Sequence, residues 1–408
     1  MSQEKATGRT TRQSSTQDGT QVPKSADNLI LSSDSVVTPT LSVIMPTLNE
    51  EEGIAECIEM VKRGIDRIGV TTEIIISDSS TDRTPEIARE MGAIVVEPDE
   101  PGYGYAYRYA FERARGEYIV IGDADTTYDF EDIPRLLDEV TNNDADMVMG
   151  SRLGGEIKSG AMPPLHQYIG NPLLTKFLNT FYGAGVSDAH SGFRIIKREA
   201  LENLELKTDG MEFASEMIME AGARDMTIKE VPITYHEREG DATLDSFEDG
   251  WRHVKFMLVN APGYLFSIPA MILTGIGVLI MSLAYFSIPI GGVNVGIHSM
   301  IAGSLLAISG YQIGSLGVFA TVAGNPIKKS RQPVMGWLLK RLQLEHTATL
   351  GLVLFTGGAV YAGYLLIRWV TSGFTVLPLL MEDIVAFTAI VLGVQTVFSS
   401  FFMSTIAE

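Results

Sequence analysis

Residues 117–125 read EYIVIGDAD, an apolar run that ends in two aspartates one residue apart, Asp123 and Asp125. A nearly continuous Ile/Val run is typical of a strand that is buried on both faces of a sheet. Similar runs are LSVIMP, TEIIISD, AIVVEP and ADMVMGSR, and a helical pattern separates each run from the next. Between Leu41 and about Val231 the order is therefore β-α-β-α-β-α-β-α-β. This order predicts an α/β domain with a mainly parallel sheet that is covered by helices.

Polar residues stand where these strands are expected to end: Pro46–Glu50, Asp78, Asp123–Asp125 and Ser151–Arg152. Ligands of parallel α/β sheets bind outside the carboxyl ends of the strands, so this edge is the expected site. A dinucleotide-binding protein would carry G-x-G-x-x-G after its first strand, and here TLNEEEGI follows instead. The string PGYGYAY follows the third strand and lacks the last glycine. These departures count against a nicotinamide or flavin enzyme.

The two aspartates predict a cation site. Residues i and i+2 of an extended backbone point to the same side, so the carboxylates of Asp123 and Asp125 can converge on one point. Two close carboxylates repel each other unless a cation lies between them. Mg²⁺ in particular is often held by one or two carboxylates together with substrate phosphates. We therefore expect a socket for a metal-bound diphosphate.

The charge of the chain is strongly acidic and unevenly spread. The 408 residues carry 31 Lys and Arg against 50 Asp and Glu, and the first 255 residues hold 46 of the acids but only 25 of the basic residues. Such a surface repels nucleic acid, so a DNA or RNA partner is not expected. An acid excess with few lysines also fits a protein that works in high salt. The single cysteine, Cys57, excludes an intrachain disulfide framework.

The second half of the chain predicts a membrane domain. The 72 residues between Lys255 and Lys328 contain no charged side chain. Two helices of about 20 residues would fit there, and two further apolar runs follow. The loop at 325–346 carries five Lys and Arg, which places it and the N-terminal domain in the cytoplasm by the positive-inside rule. The four expected spans are Tyr264–Ile288, Val295–Ala323, Thr347–Ile367 and Ile384–Ile406.

Four regions are expected in all. Residues 1–37 are polar and aperiodic and are predicted to be disordered, and residues 38–240 are predicted to form the α/β domain. Residues 241–262 are predicted to form a juxtamembrane helix that enters the membrane domain at 263–408. Residues 332–346 have apolar positions at helical spacing beside two basic residues, as in an interfacial helix, although a plain loop anchor explains them equally well.

The soluble part resembles the family 2, GT-A type glycosyltransferases, and among them the dolichyl-phosphate mannose and glucose synthases. The motifs that carry the resemblance are SVIMPTLNEEEGI, IIISDSSTDRT, ARGEYIVIGDADTTYDFEDIPRLL, MVMGSRL, DAHSGFRIIKREAL and YHEREGDATLDSFEDGWRHVKFML. The resemblance implies a GT-A, Rossmann-like nucleotide-sugar domain with a multi-pass membrane tail. It also implies a UDP- or GDP-hexose donor, a polyprenyl or dolichyl phosphate acceptor and contact with membrane lipid. A homo-oligomer is compatible with it.

Carried over to this chain, the resemblance implies three groups of site residues. Asp123 and Asp125 would hold Mg²⁺ or Mn²⁺, and Thr127 stands where relatives often have a third ligand. Arg152, Arg194 and Arg238 would meet phosphates, with Asp125, Arg152 and Arg194 as the catalytic set. The nucleotide pocket would be lined by Pro46, Thr47, Asn49, Glu50 and Asp78.

Several of these residues have plainer explanations. Arg152 and Arg194 could form surface ion pairs, while Asp78 and Asn49 could cap helices. His166 stands where the mannose synthases usually have a basic residue, and a structural histidine is an equal alternative. The sequence also departs from the family at Ala242 and Thr243, where many members have Ser-Lys.

The membrane domain indicates the acceptor. A lipid phosphate is already anionic near neutral pH and needs no strong general base, whereas a sugar hydroxyl does. Glu216 lies where relatives with hydroxyl acceptors often have a base, and a structural role is the alternative. An enzyme that extends a lipid-linked glycan is the second hypothesis. A non-catalytic scaffold or flippase partner is the third, and the intact aspartate pair and arginines argue against it.

Overall fold

The structure, a computed structural model, describes residues 29–239, 246–260, 262–291, 293–323, 344–375 and 380–407. Seven strands of the N-terminal domain form one sheet in the order β3-β2-β1-β4-β6-β5-β7. The strands are β1 (Leu41–Thr47), β2 (Thr72–Asp78), β3 (Ile94–Val96), β4 (Tyr118–Ile121), β5 (Met147–Ile157), β6 (Arg194–Lys197) and β7 (Ile228–Tyr235).

The sheet has a parallel half and a mixed half. Strands β3, β2, β1 and β4 are all parallel, as the alternating sequence pattern predicts. Strand β6 then runs antiparallel between β4 and β5, and β7 lies parallel to β5 at the edge. The α/β class with a mainly parallel sheet is confirmed. The short segment RIIK, which forms β6, is an addition that the repeating pattern did not predict.

Helices cover both faces of the sheet. The soluble domain contains α1 (Ile54–Ile68), α2 (Thr84–Glu90), α3 (Tyr103–Phe111), α4 (Ile133–Asn142), α5 (Asn171–Tyr182), α6 (Arg198–Glu202) and α7 (Phe213–Ala223). One apolar core packs α1 and α4 on the first face of the sheet. A second core packs α3, α5 and α7 on the other face, together with Met257 of α8 (Ser246–Asn260).

The end of the predicted disordered tail is ordered. Leu29 is buried, and the backbone of Leu31 donates to the carbonyl of Thr72 at the start of β2. The guanidinium of Arg115 donates to the carbonyls of Ser32 and Ser35 at 2.9 and 2.8 Å. Polar residues alone therefore misled the prediction for residues 29–37, because Arg115 binds backbone carbonyls of this segment and Leu29 packs in the core. Residues 1–28 lie outside the described part of the chain.

Four apolar helices follow α8: α9 (Pro262–Tyr285), α10 (Ile297–Ala323), α11 (Leu344–Thr371) and α12 (Leu380–Ala407). A two-strand hairpin, β8 (Pro289–Ile290) and β9 (Val293–Asn294), joins the first two. The stretches long and apolar enough to span a membrane are Leu265–Tyr285, Ile297–Val322, His346–Thr371 and Met381–Thr405. They coincide with the four predicted spans. The basic residues at 328–341, and most of the expected interfacial helix at 332–346, lie outside the described residues.

Candidate active site

The two aspartates lie in a bend immediately after β4. The strand ends at Ile121, and Thr126 has a positive φ of 62°. Asp123 and Asp125 therefore lie beyond the strand, so the prediction that an extended backbone aims both carboxylates to one side is wrong in detail. The two carboxylates are nonetheless close, because the charge of Asp125 helps to raise the pKa of Asp123. The bend, rather than the pleat of a strand, sets their separation.

Asp123 is held from two sides. The hydroxyl of Tyr103, in the first turn of α3, donates to Asp123 Oδ1 at 2.7 Å. Gly192 leaves room for the other oxygen, because a Cβ at that position would lie 2.9 Å from Asp123 Oδ2. Burial, and then the charge of Asp125, raise the pKa of Asp123 to about 6. The bond from Tyr103 opposes this rise, so Tyr103 favours the ionised carboxylate.

Asp125 is oriented by the residue at the expected third ligand position. The hydroxyl of Thr127 donates to Asp125 Oδ1 at 2.6 Å, and its backbone N–H donates to the same oxygen at 3.2 Å. The other carboxylate oxygen, Oδ2, lies 3.4 Å from Nη1 of Arg238. Thr127 therefore supports Asp125 in the structure.

Arg238 lies between carboxylates at the centre of the site. Its Nη2 donates to Glu50 Oε1 at 2.5 Å, while Nη1 faces Asp125. Two backbone bonds hold this segment against the bend: the N–H of His236 to the carbonyl of Thr127, and that of Glu239 to the carbonyl of Asp125. The structure thus brings Arg238 to the aspartate pair, and the expected contact with a phosphate stays a prediction. Burial raises the pKa of Glu50 to about 7, and the charge of Arg238 opposes that rise.

The predicted nucleotide residues gather at the carboxyl ends of β1 and β2. Thr47 lies opposite Asp78 in the sheet register and donates from its hydroxyl to Asp78 Oδ1 at 2.7 Å. Pro46 lies opposite Ser77, one position before. Asn49 has a positive φ of 60° and accepts the N–H of Thr81 on its side-chain oxygen at 2.8 Å.

Neither of the two helix-cap alternatives holds in the structure. The N-cap position of α1 is Gly53, and no side chain caps it. Asp82, which the sequence analysis did not single out, accepts the N–H of Thr84 at the start of α2 at 3.0 Å. Asn49 and Asp78 instead connect the loops at the ends of β1 and β2.

Arg152 forms a buried ion pair. Its Nε and Nη2 donate to the two carboxylate oxygens of Asp188 at 2.8 and 2.9 Å, and its backbone N–H donates to Oδ2 at 3.0 Å. Both side chains are buried. Arg152 therefore forms an ion pair, but the prediction that such a pair lies at the surface is wrong. Strand β5 also continues past Arg152 to Ile157, so this residue lies within the strand and not at its end.

Arg194 lies beneath the site. It is fully buried in β6, where Nε donates to the carbonyl of Ser191 at 2.9 Å and Nη2 to that of Ala189 at 3.1 Å. Burial lowers its pKa. The expectation that Arg194 meets a phosphate is not met in this arrangement, because the guanidinium is 0% exposed and holds the loop that carries Asp188 and Gly192.

Glu216 has a structural role in α7. Its two carboxylate oxygens accept the backbone N–H groups of Lys207 and Thr208 at 3.0 and 2.9 Å. The next carbonyl, that of Asp209, accepts the N–H of Gly104 at 2.8 Å, at the start of the helix that carries Tyr103. Glu216 thus supports the site through this loop. His166 belongs to a π-helical turn beyond β5 and is half-buried.

Sequence reasoning missed two residues that hold the site together. Asp188 is in the motif DAHSGFR, in which Arg194 was the one predicted site residue. Tyr103 is in PGYGYAY, which was considered only as an incomplete dinucleotide fingerprint. In both cases the usable signal was a side chain that can form hydrogen bonds, placed among small or apolar residues typical of a buried position.

The site fits a hard divalent cation bound together with phosphate. Among the described residues, no group of three or more His, Cys, Asp or Glu side chains has the geometry of a complete metal site. Asp123 and Asp125 can supply two oxygen ligands, and Mg²⁺ and Mn²⁺ accept phosphate and water oxygens for the rest. A cation bound between the carboxylates would offset the mutual repulsion that helps to raise the pKa of Asp123.

Comparison with known families gives two matches. The model of glycosyl transferase family 2 matches residues 42–205, and that of the glycosyltransferase family 2 C-terminal transmembrane region matches residues 318–407. The second match, with the four apolar helices, makes the chain a multi-pass membrane protein.

Among curated proteins, the low-salt glycan biosynthesis hexosyltransferase Agl6 of Haloferax volcanii is 56% identical over 392 residues, covering 96% of this chain and 95% of that protein. The dolichyl-phosphate hexose transferase of the same organism is 37% identical over 204 residues, 50% of this chain and 85% of its own. A solved glucosyl-3-phosphoglycerate synthase of Mycobacterium tuberculosis, in complex with Mn²⁺, UDP-glucose and phosphoglyceric acid, aligns with a TM-score of 0.45 and 24% identity, covering 54% of this chain and 79% of the other.

Proposed function

Because the chain belongs to glycosyl transferase family 2 and is a hexosyltransferase, we propose that it transfers a hexose from a nucleoside-diphosphate sugar to a polyprenyl phosphate such as dolichyl phosphate. The product would be a lipid-linked monosaccharide for protein or polysaccharide glycosylation. The similarity to a dolichyl-phosphate hexose transferase supports this acceptor.

The donor would bind along the carboxyl ends of β1, β2 and β4. Pro46, Thr47, Asn49 and Asp78 line the edge on which the nucleotide would lie, and Thr47 fixes the orientation of the Asp78 carboxylate. The aspartate pair would hold Mg²⁺ or Mn²⁺ beside the diphosphate. Bound there, the cation neutralises charge on the leaving diphosphate.

Arg238 would supply further positive charge to the diphosphate. In the structure its guanidinium is shared by Glu50 and Asp125, so it is held at the edge of the aspartate pair. Guanidinium groups bind phosphate oxygens strongly because they offer several N–H donors in one plane. Glu50 would then orient Arg238, and the bonds of His236 and Glu239 keep the segment close to the bend.

The single observation that carries the choice of acceptor is the engagement of Glu216. Both of its carboxylate oxygens accept backbone N–H groups, so this acid is occupied as a loop support and is not free to take a proton from a sugar hydroxyl. A phosphate oxygen is its own anionic nucleophile and needs no such base. Direct attack on the anomeric carbon would form the new C–O bond as the bond to the diphosphate breaks, with inversion.

We further propose that the catalytic domain faces the cytoplasm. The basis is the five Lys and Arg at 325–346, whereas Arg368, in the last turn of α11, is the single basic residue between there and the acids at the start of α12. A cysteine in place of Lys329 should resist a membrane-impermeant maleimide applied outside intact cells, and should react after the cells are opened. Rapid labelling from outside would reverse the orientation.

The second candidate is transfer to a sugar hydroxyl of a lipid-linked glycan. The relative that matches nearly the whole chain is named as a hexosyltransferase of glycan biosynthesis, which is compatible with this acceptor. This reaction would need a general base, and it would leave a glycosidic linkage between two sugars.

The test is to incubate membranes that contain the full chain with labelled UDP- and GDP-hexoses, with and without added polyprenyl phosphate. We expect a labelled lipid that mild acid cleaves, because a glycosyl phosphate is acid-labile. The Asp125→Asn variant should give no such product. A product that resists mild acid and forms only when a lipid-linked glycan is supplied would favour the second candidate.

A further inference from the structure

The buried hydroxyl of Ser215 in α7 is shared by two histidines. Its Oγ lies 3.1 Å from Nε2 of His190 and 3.0 Å from Nδ1 of His253. The two imidazole rings meet edge to face, with their centroids 5.1 Å apart. His190 belongs to residues 188–192, which precede β6 and which we call the site loop, while His253 belongs to α8. The three side chains, which we call the His–Ser–His bridge, therefore join the site loop to α8 through α7.

The bridge has a preferred proton arrangement. A hydroxyl carries one proton, so Ser215 Oγ can donate to one ring and must accept from the other. Nδ1 of His190 is buried and has no hydrogen-bond partner in the part of the chain that the structure describes. A buried N–H group without a partner is rarer than a buried acceptor without one, so we assign the proton of His190 to Nε2. His190 then donates to Ser215, and Ser215 donates to Nδ1 of His253.

At one end of the bridge, His190 lies at the centre of the site loop, and both ends of this loop contact the candidate site. Asp188 accepts two bonds from the guanidinium of Arg152. Gly192 fits against Asp123, where a Cβ would lie 2.9 Å from Oδ2. So short a loop cannot shift at its centre without moving its ends. The position of His190 therefore influences the packing around the aspartate pair.

The backbone on both sides of His190 is stiff. The buried guanidinium of Arg194 donates to the carbonyls of Ser191 and Ala189 at 2.9 and 3.1 Å. A displacement of the His190 ring is therefore passed along the loop and is not absorbed by free backbone.

At the other end of the bridge, His253 lies on the helix that leads into the membrane domain. Helix α8 ends at Asn260 and α9 begins at Pro262, so a single residue separates the two helices. Met257, one turn after His253, is buried in the second apolar core, and Phe256 packs against the same core. Apolar contacts of this kind tolerate a small slide or rotation of a helix, whereas a hydrogen bond depends on distance and direction. His253 therefore sets the position of α8 more narrowly than its apolar contacts do.

We propose that the His–Ser–His bridge couples the position of α8 to the cation end of the candidate site. With α8 seated, the bridge keeps the site loop where Gly192 fits against Asp123. When α8 moves away, Ser215 loses a partner inside the core, the site loop loosens, and the aspartate pair holds a cation less tightly. The three residues of the bridge are positioning residues, and the effect on the cation rests on the proposed function.

Two matched pairs of substitutions separate the hydrogen bonds of the bridge from the bulk of its rings. The amide of glutamine reaches the place of Nε2 in histidine, and the shorter amide of asparagine reaches the place of Nδ1. His190→Gln therefore keeps the bond to Ser215, and His190→Asn loses it. The order is reversed in α8, where His253→Asn keeps its bond and His253→Gln loses it. Each control differs from its disruptive partner by one methylene group.

The first measurement is backbone hydrogen exchange of the full chain in lipid nanodiscs. The N–H groups of Ala189 and Gly192 donate to side chains, so their exchange reports the opening of the site loop. We expect His253→Gln to speed exchange in the site loop about fivefold or more, and His190→Asn to do the same in α8. The controls His253→Asn and His190→Gln should exchange like the parent. Faster exchange confined to the substituted element in both disruptive variants would overturn the coupling.

The second measurement is the affinity for Mn²⁺, followed by electron paramagnetic resonance with UDP or GDP present. We expect His190→Asn and His253→Gln to bind Mn²⁺ about tenfold more weakly than the parent, and the two controls to stay within about twofold of it. Asp125→Asn should abolish binding. Parent-like Mn²⁺ affinity in both disruptive variants would overturn the effect of the bridge on the site.

The two measurements also distinguish failure of this inference from failure of the proposed function. Equal Mn²⁺ binding by the parent and Asp125→Asn would contradict the proposed cation site. Hydrogen exchange needs neither cation nor sugar, so it still decides whether the bridge couples α8 to the site loop.

Discussion

The two halves of the sheet use their charged residues differently. In the parallel half, β3-β2-β1-β4, the carboxylates of Glu50, Asp123 and Asp125 surround a single guanidinium and burial raises the pKa of two of them. In the mixed half, β6-β5-β7, Arg152 is matched to Asp188, and Glu216 is matched to backbone N–H groups. The first half thus has negative charge left for a cation, which would in turn bind the anionic donor, while the ion pair and the backbone contacts of the second half occupy its charged groups.

This difference separates residues that would bind ligands from residues that support the fold. Around Arg238 the carboxylates outnumber their cationic partner, so we expect them to bind a ligand, whereas the matched charges of Arg152 and Asp188 hold loops in place. The comparison predicts that substitutions in the parallel half abolish activity and leave stability intact. Substitutions in the mixed half should do the opposite.

The largest effect is expected at Asp125 in the parallel half. Asp125→Asn should reduce the transfer rate on the order of a thousandfold or more, because the site loses one of two charges that hold the cation. Thermal unfolding of the full chain in detergent should stay the same, since Asn can still accept the bonds from Thr127. Asp138→Asn, an exposed change on α4, is the control. Wild-type activity of Asp125→Asn in the presence of EDTA would contradict the assignment of a cation site to the aspartate pair.

The mixed half should respond through stability. Asp188→Leu leaves the buried guanidinium of Arg152 without its partner, and breaking such a pair costs about 3–5 kcal/mol. Adding Arg152→Met to that variant should restore much of the loss, because no charge then remains buried. The unfolding temperatures of the two variants in detergent measure both effects. Equal stability of Asp188→Leu and the parent would show that the pair does not support the domain.

Acid should weaken the mixed half through His190. Burial, and then the neighbouring His253, lower the pKa of His190 to about 3, from an ordinary value of 6.5. The folded domain therefore binds fewer protons than the unfolded chain below pH 6.5, so stability is full above that pH and falls as the pH drops towards 3. About 2 kcal/mol should be lost by pH 5. The His190→Gln variant should show a flatter decline of unfolding temperature between pH 7 and 5, and an unchanged slope would contradict the assignment.

The smallest effect is expected at Glu216. Glu216→Gln keeps one acceptor for the loop at Lys207 and Thr208 and should slow transfer roughly tenfold or less. A true general base would cost about 10²–10⁴-fold. A thousandfold loss together with an acid-stable product would move Glu216 to the chemistry and favour a hydroxyl acceptor.

The parallel half could be predicted from sequence because its signals are local. Each Ile/Val run is followed by its own helix, and the polar residues that end the strands necessarily meet at one edge. The four apolar helices were equally plain, since a long uncharged stretch needs no tertiary information.

The mixed half could not be predicted in the same way. Strand β6 has only four residues, and its neighbours β4 and β5 are set by the sheet order, which no local pattern records. The partner of Arg152 is 36 residues away, and that of Arg238 is 188 residues away. Resemblance to a family singled out Arg238, which the structure places beside Asp125. It did not reveal that Arg194 would be wholly buried.

The anchoring of the N-terminal segment has a practical consequence for work with this enzyme. Residues 29–37 are fastened by Arg115 at the amino ends of β1 and β2, whereas donor and cation would bind at the carboxyl ends of the same strands. A fluorescent protein or affinity tag fused ahead of residue 29 is therefore attached at the edge opposite the site. Such fusions suit single-molecule observation of sugar transfer, because the reporter and the reaction are separated by the length of the sheet.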